Sequence, residues 1–350
     1  MSDYQKQIEK EYIEKIQALH DKLPIFWDDY YIARKGRRSV RTMYAYAVDL
    51  SLFIEYAINA VPELSGKLPS SLTAADFASI QKRHIDAYMD YMTHYEHDNM
   101  EYTNNAASRN RKLSTIRSVY KWLLSEDLIS KNPAEFVENA KLGRKAPDAL
   151  DPGEVASIIE EADTGKGLSK HVKAHHENYA SRDKAIMMVL FGTGMRVSEL
   201  VGLNVSDMDE RNLCFIVHRK GGNEEAVYCS QEVIQAVREY LVDRALLLQK
   251  KEVKTNALFL SSRVQRISVD AIQVLMKKYA EPSLGAARGK KAHPHQARAS
   301  FATNLLEETG GDLHLVSKAL GHASSTVTEQ HYLKENEEKR REAIRKMGLT

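Results

Sequence analysis

The chain has 350 residues, of which 43% are hydrophobic and 28% charged, and a formal net charge of +2 at pH 7. This composition is typical of a globular protein with room for two domains. No run of about 18 apolar residues occurs, and the charged N-terminus lacks the apolar core of a secretory signal. We therefore expect a cytoplasmic protein without a membrane span, whose two cysteines, Cys214 and Cys229, are reduced.

The first 140 residues have helical patterns, beginning with a charged helix at the N-terminus. Residues 39–59 place apolar side chains on one face at helical spacing, and Ser39 is a suitable N-cap. Residues 73–95 predict one helix capped by Thr73. Residues 105–127 predict another, with an apolar stripe of Leu113, Ile116, Val119, Tyr120 and Leu123. These stripes are more typical of a core than of a functional surface.

Residues 131–155 contain three prolines and several small residues, which suits a linker between domains. We place the boundary near residue 145, so that the predicted domains are residues 1–145 and 146–350. Asp151 and Pro152 then fit the N-cap and first position of a helix.

Residues 164–181 are a polar insertion that we predict to be a solvated loop. It contains His171, His175 and His176, but no cysteine or carboxylate cluster completes a metal site, so we predict no bound metal. A buried helix over residues 182–194 follows. Residues 213–230 alternate around a Gly-Gly pair, as in a β-hairpin, and helices continue to the end. The sequence therefore predicts a mainly α protein with a small antiparallel β-sheet.

Three basic runs without any acidic residue, at 34–41, 102–125 and 283–306, stand out against the low net charge. Each run alone is more typical of a solvated face, but three together favour contact with a polyanion. The candidate DNA-binding residues in these runs are Arg37, Arg38, Arg41, Arg109, Arg111, Lys112, Arg117, Lys121, Arg288, Lys290 and Lys291.

Four segments of the second half carry residues suited to phosphoryl chemistry. In chain order they are Arg196 with Glu199 three residues later, Lys220 at the hairpin tip, His295 with Arg298 on one helical face, and His322 followed by Tyr332. Arg196 follows the sequence Gly192-Thr193-Gly194, which we interpret as a turn that presents it. The alternative is a surface arginine beside a capping turn.

Phosphodiester transfer without a metal needs these groups. Two guanidinium groups can clamp the non-bridging oxygens and offset their growing charge. A phenol can attack, although its pKa of about 10 means that it needs help losing its proton. A lysine can protonate the leaving oxygen, and histidines can move protons or donate to phosphate. Each residue alone is a weak indication, but their order along the chain is far more specific.

These segments resemble the tyrosine recombinases, the lambda-integrase and Xer family. "TGMRVSEL" resembles the first box, "PHQARASFATNLL" the second and "LGHASSTVTEQHY" the nucleophile segment. Residues 108–141 resemble the last helix of the family's core-binding domain and its exit into the linker. "KLPIFWDDYY" and the polar insertion resemble the single-recombinase Xer proteins of Gram-positive bacteria. An integrase of a mobile element is the alternative.

The resemblance implies an N-terminal helical, SAM-like core-binding domain and a C-terminal α+β catalytic domain. It implies that Arg196 and Arg298 grip the scissile phosphate, with Glu199 supporting Arg196. It assigns to Lys220 the protonation of the departing 5′ oxygen. No metal and no ATP would be needed, because a phosphotyrosyl ester conserves the energy of the phosphodiester.

For the remaining residues, the resemblance implies that His295 assists proton transfer, that His322 hydrogen-bonds the phosphate and that Tyr332 forms a 3′-phosphotyrosyl link. The chain departs from the family pattern at Ala297 and Ala299, which flank the second arginine, and after the tyrosine. These departures leave local packing and any extra phosphate contact open.

The resemblance also implies the partners. These are a double-stranded DNA recombination site and a homotetramer on two paired sites, the free protein being a monomer or weak dimer, with an accessory DNA translocase possible in addition. The tail, residues 335–350, would dock on a neighbouring subunit or fold back on its own domain. A non-catalytic DNA-binding protein and a type IB topoisomerase are the competing functions. Chromosome dimer resolution and element integration both fit the sequence.

Overall fold

The computed structural model describes residues 3–97, 99–143, 148–219 and 224–321. The chain divides into two compact units, residues 2–144 and residues 145–350, here called the N-terminal and C-terminal units. Both contain buried hydrophobic side chains of their own.

The N-terminal unit is mainly helical, with one two-stranded antiparallel hairpin among its described residues. Its elements are α1 (Asp3–Gln17), α2 (Trp27–Lys35), α3 (Val40–Ala60), α4 (Ala74–Ser79), α5 (Lys82–Tyr91), β1 (His94–His97), β2 (Met100–Thr103) and α6 (Ala106–Ser125). Short 3-10 turns lie at His20–Lys22, Pro62–Leu64 and Pro69–Ser71.

Two of its predicted helices are confirmed, together with the cap of the first. The Ser39 hydroxyl accepts the Thr42 N–H at 3.2 Å and starts α3. The Asn105 side chain accepts the Ser108 N–H at 2.9 Å and starts α6. The apolar stripe predicted for α6 is buried throughout, and α3 packs against α6. These caps satisfy N–H groups that a helix start leaves without partners.

The prediction of one helix over residues 73–95 is wrong. The helix starts as predicted, with Thr73 and Asp76 forming a capping box. It stops at Ser79, because Ile80 is extended and inserts its side chain into the core at 2% exposure. A second helix, α5, then begins at a new box between Gln81 and His84, and the chain leaves it for β1. The spacing of apolar residues did not reveal the break between α4 and α5, because the sequence of each helix has helical periodicity by itself.

The C-terminal unit is also mainly helical and contains a three-stranded antiparallel sheet in the order β3-β4-β5. Its elements are α7 (Pro152–Thr164), α8 (Lys170–His176), α9 (Ala180–Thr193), α10 (Val197–Gly202), β3 (Met208–Asp209), β4 (Cys214–His218), β5 (Glu224–Tyr228), α11 (Gln231–Lys251), α12 (Val269–Leu284), α13 (Ala286–Gly289), α14 (Pro294–Glu308) and α15 (Leu313–Leu320). A 3-10 turn lies at Val205–Asp207.

Helix α9 is the buried helix of this unit, as its sequence predicts. It packs against α7, α11 and α14, and its apolar side chains are buried around much of its circumference. Helix α7 begins at the predicted position, where Asp151 and Glu154 form a capping box and Pro152 opens the helix. The hairpin is confirmed as well, with Cys214 paired to Tyr228 and His218 to Glu224.

The polar insertion is not the solvated loop that we predicted. It contains α8, and His176 at the end of that helix is 2% exposed. The Nδ1 atom of His176 lies 3.0 Å from the Tyr279 hydroxyl, which donates to the buried carboxylate of Asp183. Gly165 permits this packing, because a β-carbon there would overlap the His176 ring. Burial lowers the pKa of His176, so the ring is neutral at pH 7.

Three further properties concern the described part of the chain alone. None of its helices combines the length and apolarity needed to cross a bilayer. No cluster of three or more histidine, cysteine, aspartate or glutamate side chains there could hold a metal ion. Cys214 and Cys229 are both free thiols, and burial raises the pKa of Cys229 to about 11.

Candidate active site

The turn before Arg196 consists of a single left-handed residue. Gly192 and Thr193 belong to α9, and Gly194 ends the helix at φ +60° with its N–H bonded to Leu190 O at 3.1 Å. A β-carbon at Gly194 would overlap the ring of Phe301 on α14. Glycine is therefore required there by both the backbone angle and the close approach. The three-residue turn that we predicted is shortened to Gly194.

Arg196 is the N-cap residue of α10 and is held by Glu199. Its N–H donates to Glu199 Oε2 at 2.8 Å, and its Nη1 donates to Oε1 at 2.7 Å. The Glu199 side chain is only 7% exposed, whereas that of Arg196 is 38% exposed. Charge-assisted hydrogen bonds of this kind fix the orientation of a guanidinium group. One side of Arg196 is thus anchored while the side chain remains partly open to solvent.

Arg298 joins two turns that come from distant parts of the chain. It lies on α14 and is 9% exposed. Its Nη1 donates to Gly194 O at 2.7 Å, and its Nη2 donates to Leu320 O at 2.8 Å. Gly194 precedes Arg196 by two residues, and Leu320 precedes His322 by two. One buried side chain therefore brings the first box, the second box and the Leu-Gly-His segment together.

His295 lies one turn before Arg298 on the same helix and is exposed. Although the residue is exposed as a whole, its pKa is lowered, first by the protein atoms that partly cover the ring, then by the neighbouring His293 and by the positive charges of Arg298 and Arg196. The imidazole is therefore neutral at pH 7 and can accept a proton. His293, the competing histidine, is the N-cap of α14, where its Nδ1 accepts the Gln296 N–H at 3.1 Å.

Arg219, which the sequence analysis missed, also belongs to this cluster. Its side chain is 12% exposed, and its Nη1 donates to Glu225 on the opposite strand. Its Nε lies 3.5 Å from Glu199 Oε1, and its guanidinium group occupies the space that a β-carbon of Gly321 would take. The acidic residues Glu224 and Glu225 across the hairpin were the available signal, because an arginine facing them in a hairpin is expected to pair.

Three of the predicted catalytic residues, Lys220, His322 and Tyr332, lie outside the described residues, as does the tail. Their neighbours in sequence are described. Arg219 immediately precedes Lys220, Gly321 immediately precedes His322, and these two neighbours contact each other. The described residues of the candidate site are therefore Arg196, Glu199, Arg219, His295 and Arg298.

The first basic run of the N-terminal unit is exposed. Arg37, Arg38 and Arg41 all face solvent around the start of α3. Arg41 also lies over the Tyr12 ring, 5.9 Å from its centroid. Exposed cations of this kind are placed where they can meet phosphate groups.

The run on α6 is largely engaged within the N-terminal unit. Arg111 forms a two-pronged pair with the Asp49 carboxylate, which is 1% exposed. Lys112, at 5% exposure, reaches the same carboxylate at 3.3 Å. The other two arginines contact polar groups nearby: Arg109 donates to Thr93 Oγ1 at 2.9 Å, and Arg117 donates to Ala134 O and Val137 O and, at 2.9 Å, to Asn139 Oδ1. Lys121 is exposed.

The third run lies around α13 in the C-terminal unit. Arg288, Lys290 and Lys291 are exposed. Arg288 pairs with Glu154, and Lys290 lies 4.0 Å from Glu281. Contact of any of these cations with DNA stays a prediction.

Comparison with known proteins gives consistent results. Residues 149–339 match the model of the phage integrase family. The chain is 30% identical over 328 residues to tyrosine recombinase XerC of Caldanaerobacter subterraneus subsp. tengcongensis, covering 91% of this chain and 85% of that protein. It is 36% identical over 221 residues to XerC of Thermodesulfovibrio yellowstonii, covering 63% and 68%. The structure of XerH bound to difH is similar in fold, with a TM-score of 0.60, 21% identity and coverage of 85% and 79%.

The family match and the XerC relatives show that the chain is a site-specific tyrosine recombinase, an enzyme that cuts and rejoins DNA. The helical N-terminal unit and the α+β C-terminal unit agree with that class. The chain belongs to the phage integrase family. The expected fold class, mainly α with a small antiparallel β-sheet, is confirmed, and the β1-β2 hairpin of the N-terminal unit is a second sheet that was not predicted.

Proposed function

We propose that this chain binds a double-stranded DNA recombination site and exchanges strands through a 3′-phosphotyrosyl intermediate on Tyr332. The observation that carries the proposal is the position of Arg298, whose guanidinium group joins the turn before Arg196 to the turn before His322. A phosphate at this junction would meet two arginines from separate boxes. That arrangement suits a dianionic transition state, because fixed donors act where charge develops.

Arg196 and Arg298 have complementary parts in this proposal. Arg298 is buried and fixed by two carbonyl oxygens, whereas Arg196 is partly exposed and held from one side by Glu199. The two guanidinium groups together clamp the non-bridging oxygens. Loss of a single donor of this type costs about 3–4 kcal/mol in transition-state stabilisation.

The proposed cleavage step moves two protons. The Tyr332 oxygen attacks phosphorus and forms the new ester bond while its proton passes to the neutral His295. The bond from phosphorus to the 5′ oxygen breaks, and that oxygen takes a proton from Lys220. His322 donates a hydrogen bond to the phosphate. Because the pKa of His295 is lowered, we expect the cleavage rate to fall only as the pH drops below about 6.5, the ordinary value for histidine.

The larger assembly belongs to the same proposal. Residues 1–145 form the core-binding domain, residues 146–350 the catalytic domain, and four chains pair two DNA sites. The relative XerH is bound to a difH substrate, which supports DNA as the partner. Relatives named XerC support a role in chromosome dimer resolution, and hence in partition at cell division, in the cytoplasm at the nucleoid. Integration or excision of a mobile element is the second candidate, and an accessory DNA translocase belongs only to the first.

The proposal is tested with a nicked suicide substrate, built on a site recovered by footprinting of genomic fragments. Cleavage of this substrate releases a short strand and traps the protein on DNA. Tyr332→Phe should bind the site with unchanged affinity and form no covalent complex, because only the attacking oxygen is removed. A covalent complex with the variant would refute Tyr332 as the nucleophile.

A supercoiled plasmid separates recombination from topoisomerase activity. With two sites in direct repeat, a recombinase releases two circles, whereas a type IB topoisomerase only relaxes the plasmid. Relaxation at equal rate with and without the sites, and without circle formation, would favour the topoisomerase.

A further inference from the structure

Arg219 contacts three separate elements of the C-terminal unit through one guanidinium group. It pairs with Glu225 on β5, and it lies 3.5 Å from the carboxylate of Glu199 on α10. It also lies against Gly321 at the end of α15. With a side chain only 12% exposed, it is a largely buried link between the hairpin and the rest of the site.

The turn at Gly321 is held by two arginines. Arg298 donates to Leu320 O at 2.8 Å, and the guanidinium group of Arg219 covers the adjacent Gly321. Gly321 has φ +62°, and any side chain there would overlap Arg219. Glycine therefore meets two demands at this turn, a left-handed backbone and the space for Arg219.

Glu199 is shared between two cations. Its Oε1 accepts from Arg196 Nη1 at 2.7 Å and lies 3.5 Å from Arg219 Nε, while the carboxylate is 7% exposed. Arg219 is also paired with Glu225, so two guanidinium groups and two carboxylates form one linked cluster. Through Glu199, this cluster connects Arg196 to the base of the hairpin.

We propose that Arg219 is a positioning residue, which fixes the base of the hairpin against Glu199 and the Gly321 turn and so sets where Lys220 reaches the departing 5′ oxygen. This inference rests on the proposed function, in which Lys220 protonates the leaving oxygen. The competing explanation is that Arg219 only stabilises the hairpin by pairing with Glu225. The two explanations differ in one expected result. If Arg219 positions Lys220, the slower cleavage by an Arg219 variant should be restored by a leaving group that needs no proton; if Arg219 only stabilises the hairpin, it should not.

The decisive substrate carries sulfur in place of the bridging 5′ oxygen at the cleavage position. A thiol has a pKa of about 8.5, so a thiolate leaves without the proton that an alkoxide needs. Single-turnover cleavage is measured with the full-length chain at saturating concentration. Arg219→Ala should slow cleavage of the oxygen substrate by about 100-fold, the cost of a small misplacement of a reacting group. The sulfur substrate should restore most of that loss, as it should for Lys220→Ala.

Three further variants separate positioning from hairpin stability. Arg219→Lys keeps the positive charge but lacks the planar guanidinium group over Gly321. We expect it to cleave the oxygen substrate about tenfold more slowly and the sulfur substrate at nearly the unsubstituted rate. The exchange of Arg219→Glu with Glu225→Arg restores the hairpin pair but places a carboxylate beside Glu199, and it should remain defective. Arg238→Ala, which removes an exposed arginine paired with Glu210 at 3.4 Å, is the matched control and should be unchanged.

The outcomes distinguish this inference from the proposed function. If sulfur fails to restore Lys220→Ala, the role of Lys220 is wrong. If sulfur restores Lys220→Ala but not Arg219→Ala, the function stands and the positioning of Lys220 by Arg219 is refuted. Full activity of the charge exchange would show that only the hairpin pair matters. Should circular dichroism show that Arg219→Ala is unfolded, Arg219→Lys carries the same test.

Discussion

The two basic runs of the N-terminal unit look alike in sequence and differ in the fold. Both lack acidic residues, yet Arg37, Arg38 and Arg41 are exposed, while most cations on α6 have partners inside the unit. The partner of Arg111 and Lys112 is Asp49, more than 60 positions away on α3. An acid-free run therefore indicates only that no neighbour in sequence neutralises it. Folding decides whether a distant residue does.

Asp49→Ala should have the largest effect on stability among the changes that test this contrast. The carboxylate accepts from Arg111, Lys112 and Thr115, and its loss leaves Lys112 buried without a counter-ion. We expect the free energy of unfolding to fall by about 3–5 kcal/mol. Urea titration followed by tryptophan fluorescence measures it selectively, because both tryptophans, Trp27 and Trp122, lie in this unit. A loss below about 1 kcal/mol would mean that the pairing is dispensable.

Replacing Arg37, Arg38 and Arg41 together by alanine should affect DNA binding and leave folding intact. The slope of log affinity against log salt should fall by about 0.9 for each phosphate that is no longer neutralised, so the triple variant should lose about 2.7. Fluorescence anisotropy over a salt series measures this slope. Urea stability within about 0.5 kcal/mol of the unsubstituted chain is the control. An unchanged salt slope would show that this exposed run does not meet phosphate.

Arg117→Ala should have an intermediate effect on stability. Its guanidinium group donates to Ala134 O, Val137 O and Asn139 Oδ1, and so ties the segment after α6 to that helix. Loss of these bonds should cost about 1–3 kcal/mol in the same urea titration. If DNA affinity falls strongly while stability is unchanged, Arg117 works at the DNA instead.

Lys121→Ala should have the smallest effect on stability. Lys121 is the exposed cation at the far end of the same run, so its removal should change the free energy of unfolding by less than about 0.5 kcal/mol. The same variant is tested for DNA binding over a salt series. A fall of about 0.9 in the slope of log affinity against log salt would show that Lys121 meets a phosphate, and an unchanged slope would show that it does not.

Local signals predicted the elements that depend on local chemistry. Ser39, Asp151 and Pro152 mark helix starts by capping, and the alternating strands around the Gly-Gly pair mark the hairpin. The break at Ile80 and the burial of His176 were not predicted, because their causes are tertiary: a core position for Ile80 and the Tyr279 hydroxyl for His176. Neither cause can be read from nearby residues.

The same division holds at the candidate site. The residue types and their order pointed to Arg196, His295 and Arg298, and the fold places these three close together. Arg219 was missed because its significance depends on Glu199 and Gly321, which come from two other segments. The sequence also did not predict that Arg298 donates to two carbonyl oxygens, because a His-x-x-Arg spacing does not specify the acceptors of the guanidinium group.

The two carbonyl bonds of Arg298 have an entropic consequence. An arginine side chain has about 2 kcal/mol of rotamer entropy to lose when it is immobilised. Here Gly194 O and Leu320 O immobilise it as the C-terminal unit folds, before any ligand is present. An anion that binds this guanidinium group therefore meets a side chain that is already immobilised. The loss of rotamer entropy does not weaken anion binding, because it occurred when the C-terminal unit folded.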